Sequence, residues 1–268
     1  MQVFKYEIPQ NVKDVAEINK KNYLETTNRM SREVHPKKSL YTMFFKRLID
    51  IVVSLVVLII TLPVNLVIAV ITYFDVGSPI FFAQNRTGKD GKIFVLVKFR
   101  NMNNKTNEKG ELLAPGERVT KIGRIMRKSS LDELLNFVSI LKGDMSIIGP
   151  RPLPIEYYEW MSDRHRHRND LRPGLECPSI NTNLKYETWQ DRFENDVLYV
   201  EQCSLLLDIK LIYRMFSLVF FPSKHRERGN QGFFMGYDEN GIAVRWENVP
   251  KKTMDEYNAI LEAKKNEE

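Results

Sequence analysis

An acidic pair, Asp132 and Glu133, follows closely after the basic residue Arg127. If a helix begins here, its free amide groups and positive dipole end could receive phosphate. Asp132 could then hold Mg²⁺, a cation that commonly bridges carboxylates and the phosphates of a substrate. Lys98, Arg127 and Arg151 could neutralise the remaining phosphate charge. The sequence therefore indicates a site for a phosphate-bearing substrate.

A structural explanation of the same pair stays open. Ser130 and Glu133 have the spacing of a capping box, in which two side chains satisfy unpaired backbone amides at a helix start. Asp132 would gain from the helix dipole. Acidic first turns are common, so the residues taken alone favour this structural role. They predict a helix from Ser130 to about Leu141.

An uncharged run of 23 residues, 51–73, precedes this region. As a straight helix it would be about 35 Å long, enough to cross a hydrocarbon core of about 30 Å. The pattern predicts membrane insertion. Pro63 and Asn65 lie near the middle of the run, and a proline kinks or breaks a helix. A kinked spanning helix and a helix that re-enters the same face both remain open.

The charges that flank the run favour the re-entrant alternative. Cytoplasmic flanks of membrane segments are enriched in lysine and arginine, and here both flanks are basic. The basic residues are Lys37, Lys38, Lys46 and Arg47 before the run and Arg86, Lys89, Lys92, Lys98 and Arg100 after it. Both ends of the anchor are therefore expected on the cytoplasmic side.

Three further patterns predict the elements around the acidic pair. Residues 80–84 and 93–99 are β-branched and aromatic runs that flank a turn at 85–91, which predicts a β-hairpin. Residues 119–127 alternate apolar and basic positions, which predicts a basic amphipathic helix. Residues 205–221 are apolar but carry three charges. They are expected to form an interfacial helix, with a soluble core helix as the alternative.

Composition limits the partners. The formal net charge of +6 and the pI of about 9.1 favour an anionic partner, which could be a phosphate-bearing substrate, an acidic membrane or nucleic acid. Without a recognisable binding motif, nucleic acid is not expected. Cys177 and Cys203 lack zinc-site spacing and are expected to be free thiols in a reducing cytosol. No cleaved signal peptide is expected. The arginine- and histidine-rich segment 164–168 is expected to be a solvated or headgroup-facing surface.

Taken in order, these motifs resemble the bacterial sugar transferase family, the monotopic polyprenyl-phosphate phosphoglycosyl transferases that initiate capsule, O-antigen and glycoprotein glycan synthesis. The similarity covers roughly two-thirds of the chain, and such ordered motifs are more specific than a single glycine pattern. The matching positions are 46–50, Pro63, 77–82, 84–88, 91–94, 97–100, 120–123, 131–134, 141–146, 149–152, 172–174, Asp196 and 199–200.

The resemblance implies a role for each candidate residue of the site. Asp132 matches the family's nucleophile, and Glu133 matches its partner in an Asp-Glu dyad. Lys98, Arg127 and Arg151 match basic residues close to the phosphates.

The resemblance also implies the reaction. The Asp132 carboxylate would attack the β-phosphate of a UDP-sugar and release UMP, and a polyprenyl phosphate would then attack the aspartyl phosphosugar. Mg²⁺ and the arginines would cancel charge, and Glu133 would organise the metal or the dyad. Pro63 matches the break that makes the anchor a re-entrant hairpin. The scheme requires an Asp132 carboxylate that lies near the lipid plane and does not point into the interior.

One segment departs from the family's pattern. After Arg172-Pro173-Gly174 the family usually has Ile-Thr-Gly-Trp-Ala-Gln-Val-Asn-Gly-Arg, whereas this chain has a different sequence at 175–185. The family arginine that resembles a phosphate binder has no clear counterpart. Lys185 would supply a point charge without the bidentate fork of arginine. Arg172 and Lys185 are therefore candidate substrate contacts, and the donor preference is expected to differ from that of common members.

The expected architecture is an α/β fold, mostly helical with a short β-hairpin, joined to a re-entrant membrane helix hairpin and interfacial amphipathic helices. Its expected divisions are a polar, mobile or loosely docked extension (1–42), the anchor (43–75), a catalytic domain (76–222) and a polar appendage (223–268). The appendage is expected to hold a short strand pair and a charged helix.

The expected location is the bacterial inner membrane, with the catalytic domain facing the cytoplasm. The expected partners are a UDP-sugar and a polyprenyl phosphate, and a second copy or glycan-assembly enzymes are further candidates. The alternative is a non-catalytic membrane protein that binds anionic lipid or recruits assembly enzymes. In that alternative Asp132 and Glu133 only cap a helix.

Overall fold

A computed structural model describes residues 3–4, 8–108, 110, 112–180, 188–220 and 232–267. As expected, the fold is mostly helical with short sheets. The α-helices are α1 Gln10–Met30, α2 Lys46–Val76, α3 Pro115–Arg118, α4 Lys121–Ser129, α5 Asn136–Lys142, α6 Ile155–Trp160, α7 Asp163–Arg166, α8 Trp189–Gln202, α9 Leu205–Phe220 and α10 Lys251–Glu267. The β-strands are β1 Val3–Phe4, β2 Phe81–Thr87, β3 Ile93–Phe99, β4 Ser146–Ile148 and β5 Gly174–Glu176.

The predicted hairpin is confirmed as β2 and β3. The two strands pair antiparallel, and β1 adds to β2 in parallel. β2 extends to Thr87, beyond its predicted end, because the pairing continues until Thr87 lies opposite Ile93. The turn places Asp90 at φ 54° and Gly91 at φ 74°, a left-handed conformation that these residue types tolerate. The hairpin carries Lys98 near the end of β3.

Two glycines let the chain around Arg151 cross close to β5. A Cβ atom on Gly174 would lie 2.2 Å from the Gly149 nitrogen, and one on Gly149 would lie 2.5 Å from the Arg172 carbonyl oxygen. Neither position has room for a side chain. β4 and β5 pair in parallel immediately before this crossing, which fixes the backbone that carries Arg151.

The anchor is a single helix, α2, which is long and apolar enough to cross a membrane by length and composition. Its central part exposes apolar side chains such as Ile59 and Ile60, at 65% and 68%. The helix runs through Pro63 without interruption. The expected break into two helices at Pro63 is therefore not seen, and the re-entrant course of this segment stays a prediction.

Both ends of α2 are packed against the rest of the protein. Near its start, the Arg47 guanidinium donates to the carbonyls of Ile140 and Leu141 at 2.5 and 2.8 Å. Near its end, Ile68 is buried in a cluster with Phe99. The exposed apolar stretch thus lies between two anchored ends.

The prediction of a loosely docked N-terminal extension is wrong for α1. Val15 is fully buried, in one core with Trp160 and Phe234. The buried Asn19 amide donates to the Met235 carbonyl at 2.7 Å. A narrow apolar stripe on a polar helix is enough for docking when the partner is aromatic and its polar groups are satisfied.

The C-terminal segment completes that core. Residues 232–246 contain the expected pairing, seen as an isolated bridge between Tyr237 and Ala243, and the expected charged helix is α10. The Thr253 hydroxyl of α10 donates to Asn19 at 2.7 Å, which ties the two terminal helices together. The predicted boundary between 222 and 223 lies outside the described residues.

The prediction of a solvated surface at 164–168 is wrong for two residues. His165 is buried, with its ring nitrogens 2.7 Å from the Tyr237 hydroxyl and 3.0 Å from Glu194. Burial lowers the pKa of His165 despite that glutamate. Arg168 is buried in an ion pair with Asp196 at 2.8 Å. His165 and Arg168 can be buried because each has a hydrogen-bond or ion-pair partner.

Other predictions are confirmed in part. α4 is the expected basic amphipathic helix, and Thr120 caps its start by accepting from the Gly123 amide at 2.8 Å. Cys177 and Cys203 are free thiols, and both are buried. α9 exposes apolar side chains, with Tyr213 at 76%, which supports the prediction of an interfacial helix without testing it.

Candidate functional site

The backbone around Asp132 differs from the predicted helix start. α4 ends at Ser129, and Ser130 adopts the left-handed conformation with φ 55°. A 3₁₀ turn, Leu131–Glu133, follows, and α5 begins only at Asn136. The acidic pair therefore lies on a short turn between two helices.

The predicted capping box is wrong. The Ser130 side chain makes no capping hydrogen bond, and its backbone amide instead closes α4 by donating to the carbonyls of Arg127 and Met126. The Glu133 carboxylate is occupied by charged donors, whose bonds are stronger than a neutral contact with a backbone amide. A 3₁₀ turn rather than a long helix follows Ser130, and phosphate binding by its amides stays a prediction.

Glu133 joins two of the predicted phosphate-binding cations. Its Oε1 atom accepts a hydrogen bond from Arg151 Nη2 at 2.6 Å and another from Lys98 Nζ. Burial alone would raise the pKa of Glu133, but Arg151 and Lys98 outweigh it and lower the pKa to about 2. Burial lowers the pKa of Lys98, which the adjacent Glu133 opposes. The three side chains form one ionic cluster of two cations and one carboxylate.

Asp132 lies beside this cluster and is only 6% exposed. Its Oδ2 atom accepts a hydrogen bond from Asn101 Nδ2 at 2.8 Å. Burial raises the pKa of Asp132, although Lys98 acts in the opposite direction. The expectation that this carboxylate does not point into the interior is therefore not met in the free protein, and a substrate could reach it only after a local rearrangement.

Arg127 reaches Asp132 through Asn101 rather than directly. The Asn101 Oδ1 atom accepts from Arg127 Nε at 3.1 Å and from Nη2 at 2.9 Å. Arg127 itself is exposed. All three predicted cations therefore belong to one site with the acidic pair. Arg127 lies on the Asp132 side, and Lys98 and Arg151 lie on the Glu133 side.

Two residues of the site escaped the sequence analysis. Asn101 is the second residue after β3, and no motif marks it. Glu176 ends β5 and lies 3.9 Å from Arg151 Nη1, while Arg151 also donates to the Leu175 carbonyl at 3.2 Å. Glu176 falls in the segment that departs from the family's pattern, which is the one signal that could have identified it.

The remaining candidates are not brought to the acidic pair. Arg172 Nε donates to the Gly143 carbonyl at 2.8 Å, beyond the end of α5, where Arg47 also lies. Its contact is therefore with the backbone that follows α5, and a role in substrate binding stays a prediction. Lys185 lies outside the described residues. Pro63 belongs to the apolar part of α2.

The acidic pair has the ligand chemistry of a Mg²⁺ site. Within the described ranges, no three histidine, cysteine, aspartate or glutamate side chains come together to hold a metal. Mg²⁺ is usually bound by one or two carboxylates plus waters and substrate phosphates, so Asp132 and Glu133 supply enough protein ligands. Asp132 Oδ1 and Glu133 Oε2 have no side-chain partner in the described part of the chain. The residues fit a cation that binds together with a diphosphate.

The electrostatic character of the cluster suits an anionic substrate. Three cations surround two carboxylates, so that the side chains are already arranged for charge-assisted hydrogen bonds. A diphosphate could replace a carboxylate on the same donors. The arrangement can therefore bind phosphate and place a carboxylate next to it.

Known proteins resemble this chain over the same region. A model of the family described as "Bacterial sugar transferase" matches residues 41–222. The "Uncharacterized sugar transferase EpsL" of Bacillus subtilis (strain 168) is 38% identical over 170 residues, which are 63% of this chain and 84% of that protein.

Two relatives carry names that state a reaction. The "UDP-glucose:undecaprenyl-phosphate glucose-1-phosphate transferase" of Klebsiella pneumoniae is 37% identical over 64% of this chain and 39% of its own length. The "UDP-N-acetylgalactosamine-undecaprenyl-phosphate N-acetylgalactosaminephosphotransferase" of Aeromonas hydrophila is 31% identical over 64% of this chain and 42% of its own length. The chain thus spans less than half of these two proteins, and their names state different sugars.

Proposed function

Because the chain belongs to the bacterial sugar transferase family, we propose that it is a phosphoglycosyl transferase. It moves a sugar 1-phosphate from a UDP-sugar to undecaprenyl phosphate and releases UMP. The product, an undecaprenyl-diphosphate sugar, starts a surface polysaccharide or glycoconjugate. The observation that carries the proposal is the joint cluster of Glu133, Lys98 and Arg151 next to Asp132 and Arg127.

The first half-reaction uses Asp132 as the nucleophile. A carboxylate oxygen of Asp132 forms a bond to the β-phosphorus of the UDP-sugar, and the bond from that phosphorus to the oxygen of UMP breaks. UMP leaves with the bonding electrons, and no proton has to be moved. An aspartyl phosphosugar remains.

The second half-reaction regenerates the enzyme. An oxygen of undecaprenyl phosphate attacks the same phosphorus, and the bond to Asp132 breaks. This acceptor is already ionised, so a general base is not required. Glu133 is therefore assigned to organising the cations and the metal rather than to proton transfer.

The diphosphate gains access by exchange with Glu133. Lys98 and Arg151 bind Glu133 Oε1 in the free protein, and a diphosphate would offer the same donors more oxygens and more charge. When Glu133 leaves these donors, the adjacent turn can shift and uncover Asp132. Asp132 is only 6% exposed in the free protein, so its attack on the substrate requires this movement.

Mg²⁺ is proposed as the cofactor, held by Asp132 together with the substrate diphosphate, with Glu133 in support. When bound, it would neutralise phosphate charge and orient the leaving group. Lys98, Arg127 and Arg151 provide the protein's own share of this charge compensation.

The anchor is proposed to re-enter the cytoplasmic face of the inner membrane. Arg47 contacts Ile140, and Ile68 belongs to the cluster that includes Leu135. On a straight helix, Arg47 and Ile68 would be about 31 Å apart, whereas Leu135 immediately precedes α5 and Ile140 lies within it, five residues further on. A bend in α2 would let both ends meet this short segment. It would keep the site close to the lipid phosphate.

Incubation of the purified full-length protein with Mg²⁺ and a panel of UDP-sugars tests the proposal. Intact mass should reveal one phosphosugar adduct, and UMP should be released. Asp132→Asn should abolish both while membrane binding and folding persist. If the wild-type protein binds anionic lipid but never releases UMP from any donor in the presence of undecaprenyl phosphate, the non-catalytic alternative stands.

A further inference from the structure

We propose that Asn101 is a positioning residue that orients the Asp132 carboxylate for attack and prevents Arg127 from pairing with it. The inference rests on the proposed function and adds a residue that neither the motifs nor the comparisons identify. It is drawn from three hydrogen bonds of one buried side chain.

The Asn101 amide is held in a single orientation. Asn101 is 8% exposed, and its Nδ2 atom donates to Asp132 Oδ2 at 2.8 Å. Its Oδ1 atom accepts from Arg127 Nε and Nη2 at 3.1 and 2.9 Å. The reversed amide would point its oxygen at a carboxylate and its NH₂ group at a guanidinium, so the network itself fixes the assignment.

This placement separates two groups of opposite charge. Arginine and a carboxylate within reach of one another form a bidentate pair, which uses both carboxylate oxygens. Such a pair would lower the nucleophilicity of Asp132. Asn101 takes one oxygen, Oδ2, and offers Arg127 a neutral acceptor instead. In the described part of the chain, Asp132 Oδ1 and Arg127 Nη1 are then left without a side-chain partner.

The backbone of Asn101 is fixed independently of its side chain. Its carbonyl oxygen accepts from the Thr120 amide, and a Cβ atom on Gly123 would lie 2.1 Å from that oxygen. The start of α4 is therefore pressed against Asn101. Changes of the side chain can be made while this contact between β3 and α4 persists.

The chain offers a matched control three residues further on. Asn104 is exposed, belongs to the same segment after β3 and makes no side-chain hydrogen bond among the described residues. Asn104→Ala is expected to leave the rate of UMP release unchanged. It controls for the loss of an asparagine side chain in this segment.

The test measures kcat and KM for UMP release by the full-length protein with Mg²⁺, undecaprenyl phosphate and the UDP-sugar that forms the adduct, because without the acceptor each Asp132 could release UMP only once. Asn101→Ala should lower kcat about tenfold to a hundredfold, the effect of losing a hydrogen bond to a charged group, with KM changed less than about threefold. Asn101→Asp, which keeps the acceptor for Arg127 but loses the donor to Asp132, should lower kcat at least as much.

A double-variant cycle separates positioning from general damage. If Asn101 keeps Arg127 away from Asp132, Arg127→Gln should lower kcat less in the Asn101→Ala background than in the wild type. Equal losses in the two backgrounds would overturn this part of the proposal. If Asn101 has a purely structural role, Arg127→Gln is not expected to lower kcat less in the Asn101→Ala background.

The two proposals fail in different ways. If the wild type releases no UMP, the proposed function is wrong. If the wild type is active and Asn101→Ala retains its kcat, or changes KM alone, the role of Asn101 is wrong. Should Asn101→Ala not fold, as judged by its thermal unfolding, the nearly isosteric Asn101→Asp decides by the same criterion.

Discussion

Arg151 donates to Glu133 through Nη2 at 2.6 Å, and the same glutamate oxygen also accepts from Lys98. One carboxylate oxygen therefore accepts from both cations that a diphosphate would need. In the free protein, the Glu133 carboxylate thus takes the place on these donors that we propose for a phosphate group. Substrate binding then becomes an exchange of anions, and the energetic consequences of that exchange can be measured.

Glu133→Gln should strengthen the binding of UDP. Without the carboxylate, Lys98 and Arg151 no longer have an anion that competes with the diphosphate. We expect the Kd of UDP to fall about threefold to tenfold, which corresponds to about 0.6–1.4 kcal/mol. Isothermal titration with UDP in EDTA measures this without a metal contribution.

The control for this change is Glu25→Gln, which removes a glutamate from an exposed ion pair with Arg29 on α1. It should leave the affinity for UDP unchanged. Weaker UDP binding by the Glu133 variant would show that the glutamate supports the nucleotide site rather than competing with it.

Asp132→Asn should stabilise the protein while it abolishes turnover. Burial raises the pKa of Asp132 above its ordinary value of 3.8, so keeping this group ionised in the folded state costs stability at neutral pH. The cost is absent below the unfolded pKa and reaches its full size as the pH rises through the folded pKa. The neutral amide removes it, and Tm should rise by about 2–4 °C for each kcal/mol removed.

The measurement is thermal unfolding in detergent and EDTA at several pH values. The difference in Tm between wild type and Asp132→Asn should shrink as the pH falls through the folded pKa of Asp132 and should vanish below the pKa of an unfolded aspartate. A variant that is less stable than the wild type at pH 7 would contradict the assigned cost of burial.

The elements predicted correctly are those whose signal is local. The hairpin has its turn dipeptide between two β-branched runs, and α4 has its apolar and basic positions at helical spacing. The long apolar helix α2 contains a single uncharged run. In each case the residues that specify the element are neighbours in the sequence, so secondary structure follows from pattern alone.

The capping box failed because its competitors are distant. Ser130 and Glu133 have the right spacing, but Glu133 is captured by Lys98 and Arg151, which are 35 and 18 positions away. A pattern of neighbouring residues does not reveal these two donors, because Lys98 lies on β3 and Arg151 lies in the segment that follows β4. The prediction for α1 failed for a related reason: α1 packs in one core with Phe234, which lies near the other end of the chain.

The sequence predicted which residues form the site better than it predicted how they are arranged in space. Lys98, Arg127 and Arg151 were all identified; Lys98 and Arg151 contact Glu133, and Arg127 reaches Asp132 through Asn101. Asn101 was missed, since a single asparagine after a strand carries no pattern. Its role becomes visible only when its two neighbours, Asp132 and Arg127, are placed in space.

Asp208→Ala should destabilise the protein by about 3–5 kcal/mol, the usual cost of leaving a buried cation without its partner. Asp208 Oδ2 lies 2.6 Å from Lys46 Nζ at the start of α2, and these side chains are 6% and 8% exposed. The hydroxyls of Tyr41 and Tyr199 also donate to Asp208, at 2.6 and 2.7 Å. The carboxylate thus joins the base of the anchor to α9.

Chemical unfolding in detergent measures this loss. Glu159→Gln, which removes an exposed partner of Lys20, is the control and should change the free energy of unfolding by less than about 0.5 kcal/mol. A loss below about 1 kcal/mol for Asp208→Ala would indicate that water replaces the carboxylate around Lys46.

The re-entrant anchor predicts that both of its flanks are reached from the cytoplasm. Cys177 and Cys203 are buried, so a membrane-impermeant maleimide should react selectively with a cysteine introduced at Lys38, before α2, or at Lys89, in the hairpin turn. Both Lys38→Cys and Lys89→Cys should be labelled in inside-out vesicles and protected in intact cells. Ile60→Cys, in the apolar stretch, should resist labelling in both. Labelling of the two flanks from opposite sides would establish a spanning helix and contradict the bend inferred from the contacts of Arg47 and Ile68.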